Sequence, residues 1–160
     1  MTDRTRLGRA TLTRVVETRF QMRTSLFAQT PPDAWDEHAD LLDPLFVDRR
    51  ADEWKIAIQT WVIEVDGLTV LVDTGVGDGR QRPHMPPLDH LDTGFLAALA
   101  DAGFAPDDVD VVINTHLHTD HVGWNTRSVA TDGDEKWVPT FRNARYLIPA
   151  ADHRYFCPDG

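Results

Sequence analysis

Alternation of apolar and polar positions is clearest in the middle of the chain. The runs KIAIQTWVIEV (Lys55 to Val65) and LTVLVD (Leu68 to Asp73) are rich in β-branched residues and are separated by Asp66-Gly67. That pattern predicts two strands joined by a type I′ turn, because an Asp-Gly pair tolerates the positive φ that both central positions require. Upstream, Leu12, Val15 and Val16 lie among threonines and arginines, which predicts a strand over Thr11 to Phe20. Between these regions Pro31 and Pro32 break the chain. Trp35, Leu41, Leu42, Leu45 and Phe46 follow within a polar stretch and are expected in a short helix or a folded loop.

The second predicted strand runs into the glycine-rich DTGVGDG, Asp73 to Gly79, and then into the proline-rich RPHMPPLDH. Leu91, Phe95, Leu96 and Leu99 share one face of a predicted helix, with Asp92 as its N-cap and Gly103 as its stop. DVDVVIN reads as a short buried strand, TDGDEKWVPTF as a turn and an edge strand, ARYLIP as a strand and AADHRYF as the start of a helix. Hairpins come first and strands then alternate with helices, which predicts a layered α/β fold.

Composition narrows the function. The 160 residues suit one domain or part of a larger one, with 41% hydrophobic and 26% charged residues. Twenty-six acidic against 16 basic residues give a net charge of -10, which disfavours a nucleic-acid partner. No apolar run approaches the ~20 residues of a membrane span, so no membrane partner is expected. The basic start leads into no apolar signal core. The single cysteine, Cys157, forms no intrachain disulfide, and a cytoplasmic location is expected.

The chemistry is concentrated in VVINTHLHTDHVGWN, Val111 to Asn125, where His116, His118, Asp120 and His121 fall within six positions. In a strand, residues i and i+2 face the same way, so His116 and His118 can reach one point. A turn after His118, eased by Gly123, swings Asp120 and His121 to a second point. Two pairs of imidazole and carboxylate donors are the ligands zinc prefers outside cysteine sites. The alternative, solvent-exposed loop histidines, leaves the clustering of three of the chain's seven histidines beside an aspartate unexplained.

THLHTDHVG resembles the His-x-His-x-Asp-His signature of the metallo-β-lactamase superfamily, and LTVLVDTGVG resembles that family's strand ending in an aspartate and a glycine. The resemblance covers about Lys55 to Pro149 and implies the first half of an αββα sandwich. It implies a single domain over 1–160, with an N-terminal strand and capping segment (1–54) and a core half-sandwich (55–160). By the same resemblance His116 and His118 hold one metal, Asp120 and His121 a second, and Asp73 orders the site by hydrogen bonding. Asp73 as a plain strand-terminating turn residue is the competing reading. The metals are expected to be two zinc ions, with iron or manganese as alternatives. The implied reaction is hydrolysis of an ester, lactone or phosphoester of a small molecule, as in lactonases and esterases, with Asp120 also carrying a proton to the leaving group. Histidine at 118 favours the hydrolytic branch, since the oxygen-reducing di-iron branch typically has glutamate there.

The family completes its site with a later histidine, a bridging aspartate and a final histidine. After His121 the only histidine is His153, on the predicted last helix and expected at the surface or substrate side. The chain is therefore expected to be the front half of a longer protein, with little activity alone. Trp124 is expected to border the substrate, and Trp35, Phe46 and Trp54 to form a wall. Two rival readings are a non-catalytic metal-binding or interaction module and, from the triplets Asp73-Thr74-Gly75 and Asp92-Thr93-Gly94, an aspartic protease.

Overall fold

The computed structural model describes residues 3–31, 33–131 and 134–158. Two compact units emerge, one of Met1–Glu17 with Ile58–Gly160 and the other of Thr18–Ala57.

The larger unit is built on a mixed sheet. β1 (Asp3–Leu7) pairs antiparallel with β2 (Ala10–Arg23), and the strand order continues through β4 (Glu53–Val65), β5 (Leu68–Val72), β6 (Val111–Ile113) and β9 (Arg145–Leu147). The β4–β5 hairpin turns at Asp66 and Gly67, with φ of 53° and 79°, as the Asp-Gly linker requires. From β5 onward the pairing is parallel, and each parallel contact is only three residues long.

Register explains the core. Val62, Leu71, Val112 and Tyr146 are Cα partners in one row across four strands. Their shared face meets Phe95 and Leu99 of α3 (Phe95–Asp101), together with Val15, Phe104, Val109, Trp124 and Phe141. Phe95, Leu99, Val62, Leu71 and Val112 are fully buried. At about 25 cal/mol per Å² of apolar surface this row and helix supply the main drive for the unit's folding.

Helix α3 begins at Phe95 rather than at the expected Asp92. Gly94, at φ 66°, is its N-cap and makes no side-chain cap bond, while the neighbouring Thr93 is held by Asp78. The helix stops where the sequence predicts. Gly103 takes φ 96°, and its N–H and that of Phe104 bond back to the carbonyls of Ala100 and Leu99, a Schellman closure. The expected turn and edge strand after the motif is instead a separate two-stranded sheet of β7 (Thr126–Thr131) and β8 (Asp134–Pro139). Helix α4 (Ala150–Phe156) follows β9.

The smaller unit holds two one-turn helices, α1 (Ala34–Glu37) and α2 (Ala39–Leu42), and the short β3 (Val47–Asp48), which pairs with β4 at Val47↔Trp54. Trp54 is packed edge-on by Trp35 (5.1 Å) and Phe27 (5.3 Å), whereas Phe46 is exposed. These aromatics cohere within their own unit.

Candidate metal centre

The histidine cluster sits past the carboxyl end of β6, in the crevice position that open sheets with parallel strands offer for ligands. It lies in a loop and not in a strand as first expected. The ladder ends with Asn114 N–H to the Leu147 carbonyl, and the buried Asn114 side chain then turns to the carbonyl of His121 at 3.0 Å. His116 and His118 are nevertheless neighbours, with His116 Nε2 3.0 Å from His118 Nδ1. His121 Nε2 lies 3.4 Å from Asp120 Oδ2. The His116 ring also lies 3.9 Å, centroid to centroid, from that of His121. His116 thus lies against both His118 and His121, and Asp120 lies beside His121. Among the described residues no three His, Cys, Asp or Glu side chains form a ready-made cation cage.

Asp73 joins the two ends of this loop. Its carboxylate accepts the N–H of Thr115 at 2.7 Å, the Thr115 hydroxyl at 2.8 Å and the Nδ1–H of His121 at 2.8 Å. An ionised carboxylate only accepts, so His121 donates to Asp73 through Nδ1, and its Nε2 is turned toward Asp120. Asp73 itself adopts φ 56°, a conformation that aspartate tolerates better than most residues.

Main-chain contact fixes the loop against DTGVG. Thr74 N–H bonds to the His121 carbonyl (2.8 Å), Gly123 N–H to the Gly75 carbonyl (2.7 Å) and Trp124 N–H to the Thr74 carbonyl (2.8 Å). A Cβ on Gly123 would lie 1.9 Å from the Val76 carbonyl carbon, and one on Gly77 would lie 2.6 Å from the Gly123 oxygen. Only glycine permits this approach.

Three side chains near the loop carry no motif signal. Asp152 of α4 accepts the N–H of Leu117 at 2.9 Å, pinning the backbone between the first two histidines. Arg82 donates to the Val76 carbonyl at 2.6 Å and reaches that of Thr119 at 3.4 Å. Burial, helped by the charge of Arg82, lowers the Arg80 pKa from the usual guanidinium range; burial lowers that of Arg82 as well, opposed by the charges of Glu17, Asp120 and Asp89. The third is Glu17 on β2, only 7% exposed, which accepts from Val76 N–H (2.7 Å), Gly77 N–H (3.0 Å), the Trp124 indole N–H (2.7 Å) and the Thr93 hydroxyl (3.2 Å). Burial pushes its carboxyl above the ordinary range despite these four donors. The signal for Glu17 was its place on one strand face with Thr13 and Val15, where a charge must find partners.

Trp124 is not at the rim, contrary to expectation. It is 6% exposed, stacked on Phe95 at 5.5 Å and tied through its indole to Glu17. The amphipathic ring satisfies its one donor inside the core. His153 is exposed on α4. Asp92 is exposed and Thr93 bonds to Asp78 and Glu17, so the second Asp-Thr-Gly triplet anchors a loop. A cleft of about 660 Å³ opens beside the motif, bordered by Thr119, Val122 and Gly123 and lined by Arg80, Arg82 and Trp137. Arg80 lies 4.0 Å over the Trp137 ring.

Residues 55–141 match the sequence model of the Metallo-beta-lactamase superfamily. None of the curated proteins matches the chain. Among solved structures the chain is similar to the hydrolase AbOPH in the beta lactamase superfamily (22% identity, TM-score 0.69, 99% of this chain and 48% of that one). It is similar to a probable metal-dependent hydrolase from Staphylococcus aureus (18%, TM-score 0.71, 97% and 52%). AidC, a dizinc quorum-quenching lactonase in complex with a product, is also similar (22%, TM-score 0.67, 97% and 47%). The chain thus spans about half the length of these structures, and at such identities the likeness establishes the fold. Among the described residues no helix is long and apolar enough to cross a membrane.

Proposed function

The chain belongs to the metallo-beta-lactamase superfamily and has its hydrolase fold, and from that premise we propose that its histidine loop holds a pair of zinc ions for hydrolysis of a small-molecule ester, lactone or phosphoester. His116 and His118 bind the first ion, Asp120 and His121 the second, and Asp73 orients His121. The observation that carries this reading is the spacing of the donor pairs. Two ligands on a tetrahedral zinc with bonds of about 2.0–2.1 Å stand about 3.3 Å apart. The pairs here are separated by 3.0 and 3.4 Å, and the Nε2 of His121 is turned toward Asp120 while Asp73 holds its Nδ1. The donor set fits zinc.

When bound, such ions polarise a carbonyl or phosphoryl oxygen and make water nucleophilic near neutral pH. The chain's own residues do the rest. Asp73 orients His121 and ties it to Thr115. Asp120 carries a proton to the leaving oxygen. The cleft beside Thr119, with its guanidinium groups and the Trp137 ring, receives the remainder of the substrate.

The test is zinc content and turnover in the purified protein and its His116→Ala and Asp120→Ala variants. Zinc loss, together with a fall of more than about 10²-fold in lactone or ester hydrolysis, is expected. Variants that keep both zinc and turnover would overturn the assignment. Variants that lose zinc from a protein with no turnover would instead favour a metal-binding module.

A further inference from the structure

Arg80 and Arg82 follow directly on DTGVGDG, and both line the cleft beside the histidine loop. Among the described residues neither has a carboxylate within ion-pair distance, whereas Arg4, Arg9, Arg14, Arg49 and Arg142 each pair with an acid. In a chain of 26 acidic and 16 basic residues, two guanidinium groups without such a partner stand out. Main chain holds them instead. Arg80 Nη2 donates to the carbonyls of Gly123 and Thr126, the latter at 2.7 Å, and its guanidinium carbon lies 4.0 Å over the Trp137 ring. Arg82 reaches the carbonyls of Leu88, Val76 and Thr119. The acids nearest in sequence are engaged elsewhere. Asp78 holds Thr93, and Asp89 holds the main-chain N–H of Arg82 and the His90 ring.

Like charges drawn out of water beside one another cost free energy, and the lowered pKa of both groups records that cost. Main-chain bonds fix the pair without neutralising it, which suits a site whose missing charge arrives with a ligand. Glu135, which is exposed, is the one acid among the residues that line the cleft. A volume of about 660 Å³ matches a small molecule, and a net charge of -10 repels a polyanion. We propose that the cleft is an oxyanion subsite, in which Arg80 and Arg82 receive a carboxylate or phosphate that the substrate carries away from its scissile bond. Thr119 and Val122 of the histidine loop form one wall of the same cleft, and Trp137 gives it an apolar surface. This rests on the metal-site reading above in that the anion belongs to the molecule hydrolysed there. It narrows that reading to substrates bearing a second, negatively charged group.

The test uses the full chain, freed of metal by chelation and dialysis so that no bound cation holds the anion. Succinate and inorganic phosphate are each titrated while NMR follows the Trp137 indole N–H. Saturable shifts are expected, half-complete at about 1 mM or below and weaker as sodium chloride rises. The tighter of the two ions distinguishes a carboxylate from a phosphate group. Arg80→Gln and Arg82→Gln are each expected to weaken binding about tenfold or more. Should Arg80→Gln not fold, Arg82→Gln decides. The inference is overturned if wild type shows no saturable shift with either ion, or if Arg82→Gln binds as well as wild type. His116→Ala separates the two proposals. Loss of cobalt(II) binding with anion binding kept supports both; loss of anion binding as well places the anion on the histidines and removes the subsite. A wild type that titrates with anion but never binds cobalt(II) removes the metal assignment and leaves the subsite standing. In the zinc-loaded protein, nitrophenyl hemisuccinate is expected to exceed nitrophenyl butyrate about tenfold in kcat/KM, a preference that Arg82→Gln abolishes. General damage to the fold would lower both esters alike, and an active wild type with no preference counts against the subsite.

Discussion

Gly123→Ala is expected to force apart the two main-chain segments that frame the histidine loop. Gly123 is not in the left-handed region, so alanine meets no conformational penalty there; the obstacle is contact. The added carbon would lie 1.9 Å from the Val76 carbonyl carbon, 2.1 Å from its oxygen and 2.3 Å from the Gly77 nitrogen. Carbons in contact ordinarily stand about 3.5–4.0 Å apart, so the segments must separate by about 1.5 Å or more. The three hydrogen bonds between them, at 2.7 to 2.8 Å, do not survive such a shift. At about 1 kcal/mol net each, their loss costs about 3 kcal/mol, and any group left buried and unpaired adds to that. Gly79→Ala is the matched control. Its Cβ would meet nothing within 4 Å, so only the strain of φ 64° remains, about 1 kcal/mol. Urea unfolding followed by tryptophan fluorescence measures both variants. If Gly123→Ala loses no more stability than Gly79→Ala, the reasoning fails.

Three further outcomes follow from the same geometry. Phe95→Ala, which removes a fully buried ring stacked on Trp124, is expected to cost about 3–5 kcal/mol in urea unfolding and to change the near-UV circular dichroism of Trp124; a cost below about 1 kcal/mol would contradict the packing. Asp73→Asn places an amide against the Thr115 and His121 donors, so cobalt affinity is expected to fall about 10- to 100-fold and the Thr115 amide to exchange faster; neither change occurs if Asp73 is only a turn residue. Glu17 gives a pH dependence whose sign is set by burial, which raises its folded-state pKa above the ordinary 4.5. The folded state then holds the proton more tightly than the unfolded one, so stability from this group is present below the unfolded value and lost as pH rises through the folded one. Urea midpoints of wild type should therefore fall relative to Glu17→Gln as pH rises above the ordinary 4.5, and a difference that stays constant with pH would refute the assignment.

Much of this was legible in the residues. The Asp66-Gly67 hairpin, the stop at Gly103 and the apolar β6 are local signals, and local physics decided them. The histidine loop was legible because its residue types are expensive to gather without a shared role. What escaped was set by distant partners. β1 is polar and wholly exposed, and it is a strand because Asp3 to Leu7 pair in register with Arg14 to Ala10. Trp124 read as a rim residue because nothing in its neighbourhood reveals Phe95 above it and Glu17 beside it. Glu17 and Asp152 join the site across 59 and 35 residues, to Val76 and Leu117, and no spacing rule reaches that far.

The closest approach between DTGVG and the histidine loop, where Val76 and Gly77 meet Gly123, is made of peptide groups and not of side chains. It therefore has almost no chemistry that substitution can tune. Residues 75, 77 and 123 should reject every replacement in a saturation library, while Val122, whose carbonyl and not its side chain anchors Asn125, accepts many. Such a seam lets cleft residues drift toward new substrates while the spacing of the donors stays where the backbone put it.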